Sequence, residues 1–236
     1  MNLEPVSENR RYLWHPADVQ GEYWLFECRR QSGWDEFIGG SGLLVYHVDK
    51  SMNRAGFSTY YNITLTARQR WERKQVNCRP DHQCMDLVEA FPGADSADAV
   101  FFPYSPEQIF ASDTDPEFRN WSGKASNLAI KDIVIEADSS VSFTVIEPIR
   151  SGKEYVFQNC ATVIWQLDES LLDQTDSCVV KWYKDGLEII HESIEPGNSG
   201  KAFQTVDSLE PGTHYNVVLS LYTAEASYSA ERHIIT

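Results

Sequence analysis

The chain has 236 residues, 42% of them apolar and 12% aromatic, and a formal net charge of −15. That length and composition support a core in one large domain or two ordinary ones and argue against a disordered chain. The charge argues against a nucleic-acid binder, because phosphate backbones are held chiefly by Lys and Arg.

No stretch approaches the roughly 18 uninterrupted apolar residues of a membrane-spanning helix, so no transmembrane segment is expected. MNLEPVSENRRY lacks the apolar core of a signal peptide, which leaves a cytoplasmic chain or one without its leader. Five cysteines (Cys28, Cys78, Cys84, Cys160, Cys178) leave one unpaired even if the others form bridges, and so give no compartment signal. Asn62-Ile63-Thr64 and Asn120-Trp121-Ser122 match a glycosylation pattern that also arises often by chance.

In chain order, EYWLFECR (22–29) and GLLVYHVD (42–49) are nearly continuous apolar runs that predict strands buried on both faces, with Gly39-Gly40-Ser41-Gly42 as turn chemistry before the second. TARQRWERKQVN (66–77) predicts one or two helical turns, its Arg68, Arg70, Arg73 and Lys74 reading as a solvated basic face. Residues 91 to 127, rich in Pro, Gly, Ser and Asp, predict a long surface excursion with few regular elements. LAIKDIVIE (128–136) and SVSFTVIE (140–147) form a predicted hairpin around Ala137-Asp138-Ser139.

After Glu147-Pro148 the texture changes. TVIWQL (162–167), CVVKWYKDG (178–186), LEIIHESI (187–194), AFQTV (202–206), HYNVVLSLYT (214–223) and ERHIIT (231–236) predict about six short strands at regular spacing, which suits a small β-sandwich. The expected fold class is therefore mainly β: a β-rich irregular domain with a long loop excursion over residues 1–147, then a sandwich over 148–236. The second part resembles a fibronectin type III or related immunoglobulin-like module, on Leu209-Glu210-Pro211-Gly212-Thr213-His214-Tyr215-Asn216-Val217. The resemblance implies that Trp165 is the buried core tryptophan and that Tyr215 is the corner tyrosine whose hydroxyl bonds the turn's backbone. For function it implies a module and no more.

Four groups of residues bear on chemistry. His191-Glu192-Ser193-Ile194-Glu195 begins like the zinc-protease helix motif, but its fifth residue is Glu195 and Pro196 follows, so the two imidazoles needed at i and i+4 are missing. Cys78 and Cys84, with His82 between them, are spaced for a small disulfide loop or two free thiols; a zinc site wants a tighter pair and a fourth ligand. Asp95 and Asp98, and Asp113 with Asp115, are alternating loop oxygens that suit calcium, although Asp is also common in turns. His47 and Asp49 end an apolar run, where a lone His is more often a hydrogen-bonded core or cleft-rim residue than a ligand.

Taken together, Glu22-Tyr23-Trp24-Leu25-Phe26-Glu27-Cys28-Arg29-Arg30-Gln31, Gly33-Trp34-Asp35 and Gly40-Ser41-Gly42-Leu43-Leu44-Val45-Tyr46-His47-Val48-Asp49 resemble the secreted zinc metalloproteases of the immune inhibitor A type. Val76-Asn77, Met85-Asp86-Leu87-Val88-Glu89-Ala90, Phe102-Pro103 and Trp121-Ser122-Gly123 fall in that family's order. The resemblance covers residues 1 to about 147 and implies a secreted or surface bacterial endopeptidase, whose one zinc ion and the Glu of His-Glu-x-x-His activate water. None of the six histidines (His15, His47, His82, His191, His214, His233) has a partner four residues away. No catalytic residue transfers to this chain. The zinc belongs to a full-length parent, and the expected partners are its upstream catalytic segment and a protein or peptide substrate.

The expectation is thus a fragment: the supporting β portion and accessory module, inactive alone. The alternative is a two-domain surface protein that binds glycan or protein, with Trp34, Trp71 and Trp121 as candidate platforms.

Overall fold

A computed structural model describes the whole chain, Met1 to Thr236, as two compact units. Met1–Gln108, Asn120–Ser122 and Lys131–Thr144 make the first; Ile109–Arg119, Gly123–Ile130 and Val145–Thr236 make the second. The main junction falls at Thr144/Val145, three residues before the expected one, and two pieces of the excursion join the second unit.

The first unit opens with β1 (Asn2–Leu3), β2 (Leu13–Pro16), β3 (Glu22–Arg29) and β4 (Gly42–Asp49). After these come β5 (Arg54–Ser58), β6 (Ile63–Thr66), α1 (Ala67–Glu72), β7 (Met85–Leu87), β8 (Ala129–Ile135) and β9 (Val141–Ile146), of which Ala129, Ile130, Val145 and Ile146 fall in the second unit. A four-stranded antiparallel sheet runs β2-β3-β4-β7, beside a β1-β9-β8 sheet and a β5-β6 pair. β4 lies between two neighbours and is buried on both faces except at Tyr46, as its apolar run predicts. β3 alternates instead: Glu22, Trp24, Phe26 and Cys28 are buried, and the residues between them are half-exposed.

The glycine turn before β4 has a steric reason. Gly39 sits at φ +91°, and a Cβ there would meet the Ala97 side chain at 2.5 Å. A Cβ on Gly42 would lie 2.8 Å from the Phe102 carbonyl oxygen. That closeness lets Leu43 and Phe102 exchange two backbone hydrogen bonds of 2.9 Å.

The helix at 67–72 begins with a capping box, Gln69 N donating to Thr66 Oγ1 at 3.2 Å and Thr66 N to Gln69 Oε1 at 3.0 Å. Its basic residues are not one solvated face. Arg68 pairs with Glu72 in solvent, whereas Arg70 is buried and its guanidinium donates to the Ala55 and Gly56 carbonyls.

The second unit holds β10 (Ile149–Val156), β11 (Cys160–Leu167), α2 (Glu169–Leu172), β12 (Thr175–Lys184), β13 (Leu187–Ser193), β14 (Lys201–Asp207), β15 (His214–Thr223) and β16 (Ser227–Ile235). Its sheets run β10-β11-β14 and β13-β12-β15-β16, antiparallel throughout, a fibronectin type III/immunoglobulin-like β-sandwich. Ala161, Val163, Trp165 and Leu167 of β11 and Tyr215, Val217, Leu219 and Leu221 of β15 point inward at every second position. Asp185 and Gly186, both at positive φ, make the two-residue turn between β12 and β13. Tyr215 acts as the corner residue, its hydroxyl accepting from Glu210 N at 2.9 Å.

The excursion has few regular elements, as expected, but it is not all surface. Phe110 and Phe118 are buried and stack at 4.4 Å, and Phe110 exchanges two backbone bonds with Ile130. Ala111 and Ala129 join the sandwich core, and Ser112 Oγ accepts from Ser229 N at 3.0 Å. Apolar anchors spaced through a polar, Pro-rich stretch carry no period, so composition alone hides them.

Candidate functional site

The polar cluster at the end of β3 and β4 is set by register. Across β2, β3 and β4, His15 lies opposite Trp24 and Trp24 opposite His47. Neighbouring strands are about 4.8 Å apart, so flat rings standing in such a row stack. His15 and Trp24 have centroids 5.7 Å apart, and Trp24 and His47 4.8 Å. The row continues through two loop residues: Trp121 stacks on His47 at 5.3 Å, and His82 on the other face of Trp121 at 4.3 Å. Five rings alternate His, Trp, His, Trp, His.

Two buried carboxylates lock this stack. Glu22 and Asp49 face each other across β3 and β4, and each has its own imidazole. His47 Nε2 donates to Glu22 Oε1 at 2.7 Å, and the same oxygen accepts from Trp121 N at 2.7 Å. His82 Nε2 donates to Asp49 Oδ2 at 2.8 Å, while Asp49 Oδ1 accepts from Ser51 N at 2.8 Å and Asp49 O from Trp71 Nε1 at 2.7 Å. Glu22 Oε2 and Trp121 Nε1 are buried and have no partner.

Burial raises the Asp49 carboxyl, but the bonds from His82 and Ser51 outweigh it and hold the group below its ordinary value. Burial holds His15 below its ordinary value, against the pull of Asp18.

With Glu22 2%, His47 6% and Asp49 0% exposed, these groups are committed to one another and shielded from solvent. They fasten three strands and two loops, which is the structural side of the expectation for His47 and Asp49; neither residue sits on a rim. Zinc does not fit this cluster. Both Nε2 atoms already face carboxylate oxygens, Trp121 separates the two imidazoles, and no three His, Cys, Asp or Glu side chains are arranged to hold a metal ion.

A folded-state carboxyl held below its unfolded value of about 3.9 adds stability that is complete above that pH and is lost as pH falls through the folded value. Asp49→Asn is therefore expected to shrink the loss in urea midpoint between about pH 7 and about pH 3 relative to wild type. An unchanged loss would remove Asp49 as its source.

The other candidates separate. Asp95 and Asp98 are exposed, and Asp98 accepts from the Ser96 hydroxyl. Asp113 is neutralised by Arg119 and accepts from Ser229 Oγ at 2.7 Å, while Asp115 is exposed. Neither acid pair converges with a third donor, short of the roughly six to eight oxygens calcium takes. Cys78 and Cys84 carry free thiols, one of the two arrangements their spacing allows. Cys84 is buried against Ala55 and Ala67, where burial pushes its thiol up to about 11, and Cys78 is exposed.

Of the three candidate platforms, Trp121 has both faces covered. Trp71 is half-buried, with the Lys50 ammonium 4.4 Å above its ring. Trp34 stands free at 104% exposure. Trp165 and Tyr215 are both buried in the sandwich core. Sequence reasoning missed Glu22 and His15 as members of the stack; the available signal was a carboxylate at an inward position of an apolar strand.

No family model matches the sequence, and no curated protein does. Among solved structures, similarity extends to a crystal structure of a Br derivative of BhCBM56 (12% identity, 36% of this chain and 89% of that one, TM-score 0.30). It extends also to the sensor domain of the anti-sigma factor RsgI4 of Pseudobacteroides cellulosolvens (11%, 37% and 73%, TM-score 0.28). A third is the chicken interferon gamma receptor alpha chain (8%, 82% and 91%, TM-score 0.31). Overlaps this weak carry no functional argument.

Proposed function

We propose that the chain is the supporting, non-catalytic β portion of an immune inhibitor A-like zinc metallopeptidase, followed by an accessory fibronectin type III-like module. One observation carries the reading. The separate stretches that resemble the family supply Glu22 and Trp24, His47 and Asp49, and Trp121, and these residues meet in one buried stack. Matching motifs that converge in space are what a shared scaffold requires; stretches alike by chance have no reason to meet. On this reading the zinc and its ligands belong to a catalytic segment encoded upstream, the substrate is a protein or peptide, and the parent is secreted or held at a bacterial surface.

The purified chain, supplied with zinc, is expected not to hydrolyse casein; turnover abolished by a chelator would overturn its non-catalytic role. The coding sequence upstream of Met1 is expected to encode His-Glu-x-x-His, and a frame without it would remove the parent peptidase.

A second reading, a surface protein that binds glycan or protein, draws on exposed aromatics of the first unit. Trp34 and Phe37 stand free on the loop before β4, and the exposed Phe91 and Tyr104 rings stack at 4.8 Å. Exposed aromatic groups of this kind suit recognition surfaces.

A further inference from the structure

Charge is unevenly placed along this acidic chain. Residues 50 to 80 hold seven Lys and Arg against Glu72 alone, a local +6 that leaves −21 for the remainder of the −15 chain. Three of the seven are committed: Arg70 to buried carbonyls, Arg68 to Glu72 and Arg79 to Asp81. Lys50, Arg54, Arg73 and Lys74 have no carboxylate partner, and Lys50 and Arg73 lie over the Trp71 and Tyr61 rings instead.

The same segment builds the β5–β6 hairpin, which pairs with no other strand and has an apolar end. In the turn between the strands Tyr60 is 80% exposed, with the Tyr61 ring edge-on to it at 4.9 Å, and Phe57 and Ile63 beside the turn are exposed as well. The chain that follows α1 is fastened to this end, because Ser58 Oγ donates to Gln75 Oε1 at 2.9 Å. Arg73 is thereby held with its guanidinium 4.4 Å from the Tyr61 ring centroid, and exposed Lys74 follows it. Free cations and free apolar side chains thus share one end of the hairpin.

We infer that this hairpin end docks on an anionic lipid surface. Charge complementarity names the sign: unpaired Lys and Arg are drawn to anionic headgroups, while the acids elsewhere are screened beyond about 8 Å at physiological salt, so the molecule approaches hairpin first. The side chains name the surface. A soluble polyanion would satisfy the cations and leave Phe57 and Ile63 in water, whereas the headgroup boundary accepts Tyr rings, the apolar groups roughly 5–10 Å deep and the cations above them. The inference rests on no part of the peptidase reading and stands or falls apart from it.

The test is co-sedimentation of the full chain with vesicles of phosphatidylglycerol and phosphatidylcholine in equal parts, against vesicles of phosphatidylcholine alone. Partition into the anionic vesicles is expected, weakening as salt rises from about 0.1 M to about 0.5 M. Arg73→Gln combined with Lys74→Asn should lower the partition coefficient about twentyfold, near fivefold for each cation at the surface. Tyr60→Ser combined with Ile63→Ser should lower it at least about tenfold, through lost apolar insertion. Leu187→Ser, an exposed apolar position of the sandwich, should leave it unchanged, and circular dichroism checks that each variant is folded. No partition into the anionic vesicles, or wild-type partition in the folded Arg73/Lys74 variant, would overturn the site. Wild-type partition in the folded Tyr60/Ile63 variant would overturn the lipid surface in favour of a bare polyanion site.

Discussion

Glu22→Ala is expected to lower the unfolding free energy of the first unit by about 2–6 kcal/mol, because two buried donors each lose their acceptor at about 1–3 kcal/mol apiece. One carboxylate oxygen accepts from both His47 Nε2 and the backbone of Trp121, each at 2.7 Å. Its removal leaves an imidazole between two indole faces without its acceptor, and a backbone N–H with none. Glu22→Gln keeps the accepting oxygen and should cost less. Glu22→Leu combined with His47→Leu should recover part of the alanine loss, because it removes both buried polar partners together. Urea unfolding followed by tryptophan fluorescence reads this, since five of the seven tryptophans lie in that unit. A Glu22→Ala loss below about 1 kcal/mol, the net worth of an ordinary hydrogen bond, would show that the carboxylate does not hold the stack.

The parts of this fold that the sequence reveals are those whose cause is local. β3 and β4 have the bounds their apolar runs predict, and the β8–β9 hairpin follows from alternation and turn residues. The sandwich strands from β11 onward are legible for the same reason. β10 is not: it is an edge strand, Ile149 is its only fully buried residue, and a register shift interrupts its pairing, so it has no period to read. β2, β5, β6 and β7 are short and only partly buried, and go unseen likewise.

At the candidate site the sequence shows His47 and Asp49 but not their setting. Glu22 is 25 positions from His47, His82 is 33 from Asp49, and Trp121 is 99 from Glu22. A side chain with an exposed neighbourhood and one sealed by partners that far along the chain look identical in sequence. The glycosylation pattern at Asn120 illustrates the point: Asn120 is buried, while Asn62 is exposed at the β5–β6 turn.

Trp165→Ala is expected to destabilise the sandwich by about 3–5 kcal/mol, the cost of emptying a large aromatic site in a packed core. Trp165 on β11 and Trp182 on β12 are both fully buried, one from each sheet, so either truncation opens a cavity. Phenylalanine separates cavity from hydrogen bond. Trp182 Nε1 donates to Gln204 Oε1 at 2.6 Å, whereas Trp165 Nε1 has no acceptor. Trp182→Phe leaves the buried Gln204 oxygen unpaired, which adds about 1–3 kcal/mol to the lost volume, while Trp165→Phe removes an indole N–H that was already unpaired. Urea midpoints from far-ultraviolet circular dichroism should therefore rank Trp165→Phe as the milder change. The reverse order would mean that packing around the indole, not its N–H, decides how each tryptophan holds the two sheets together.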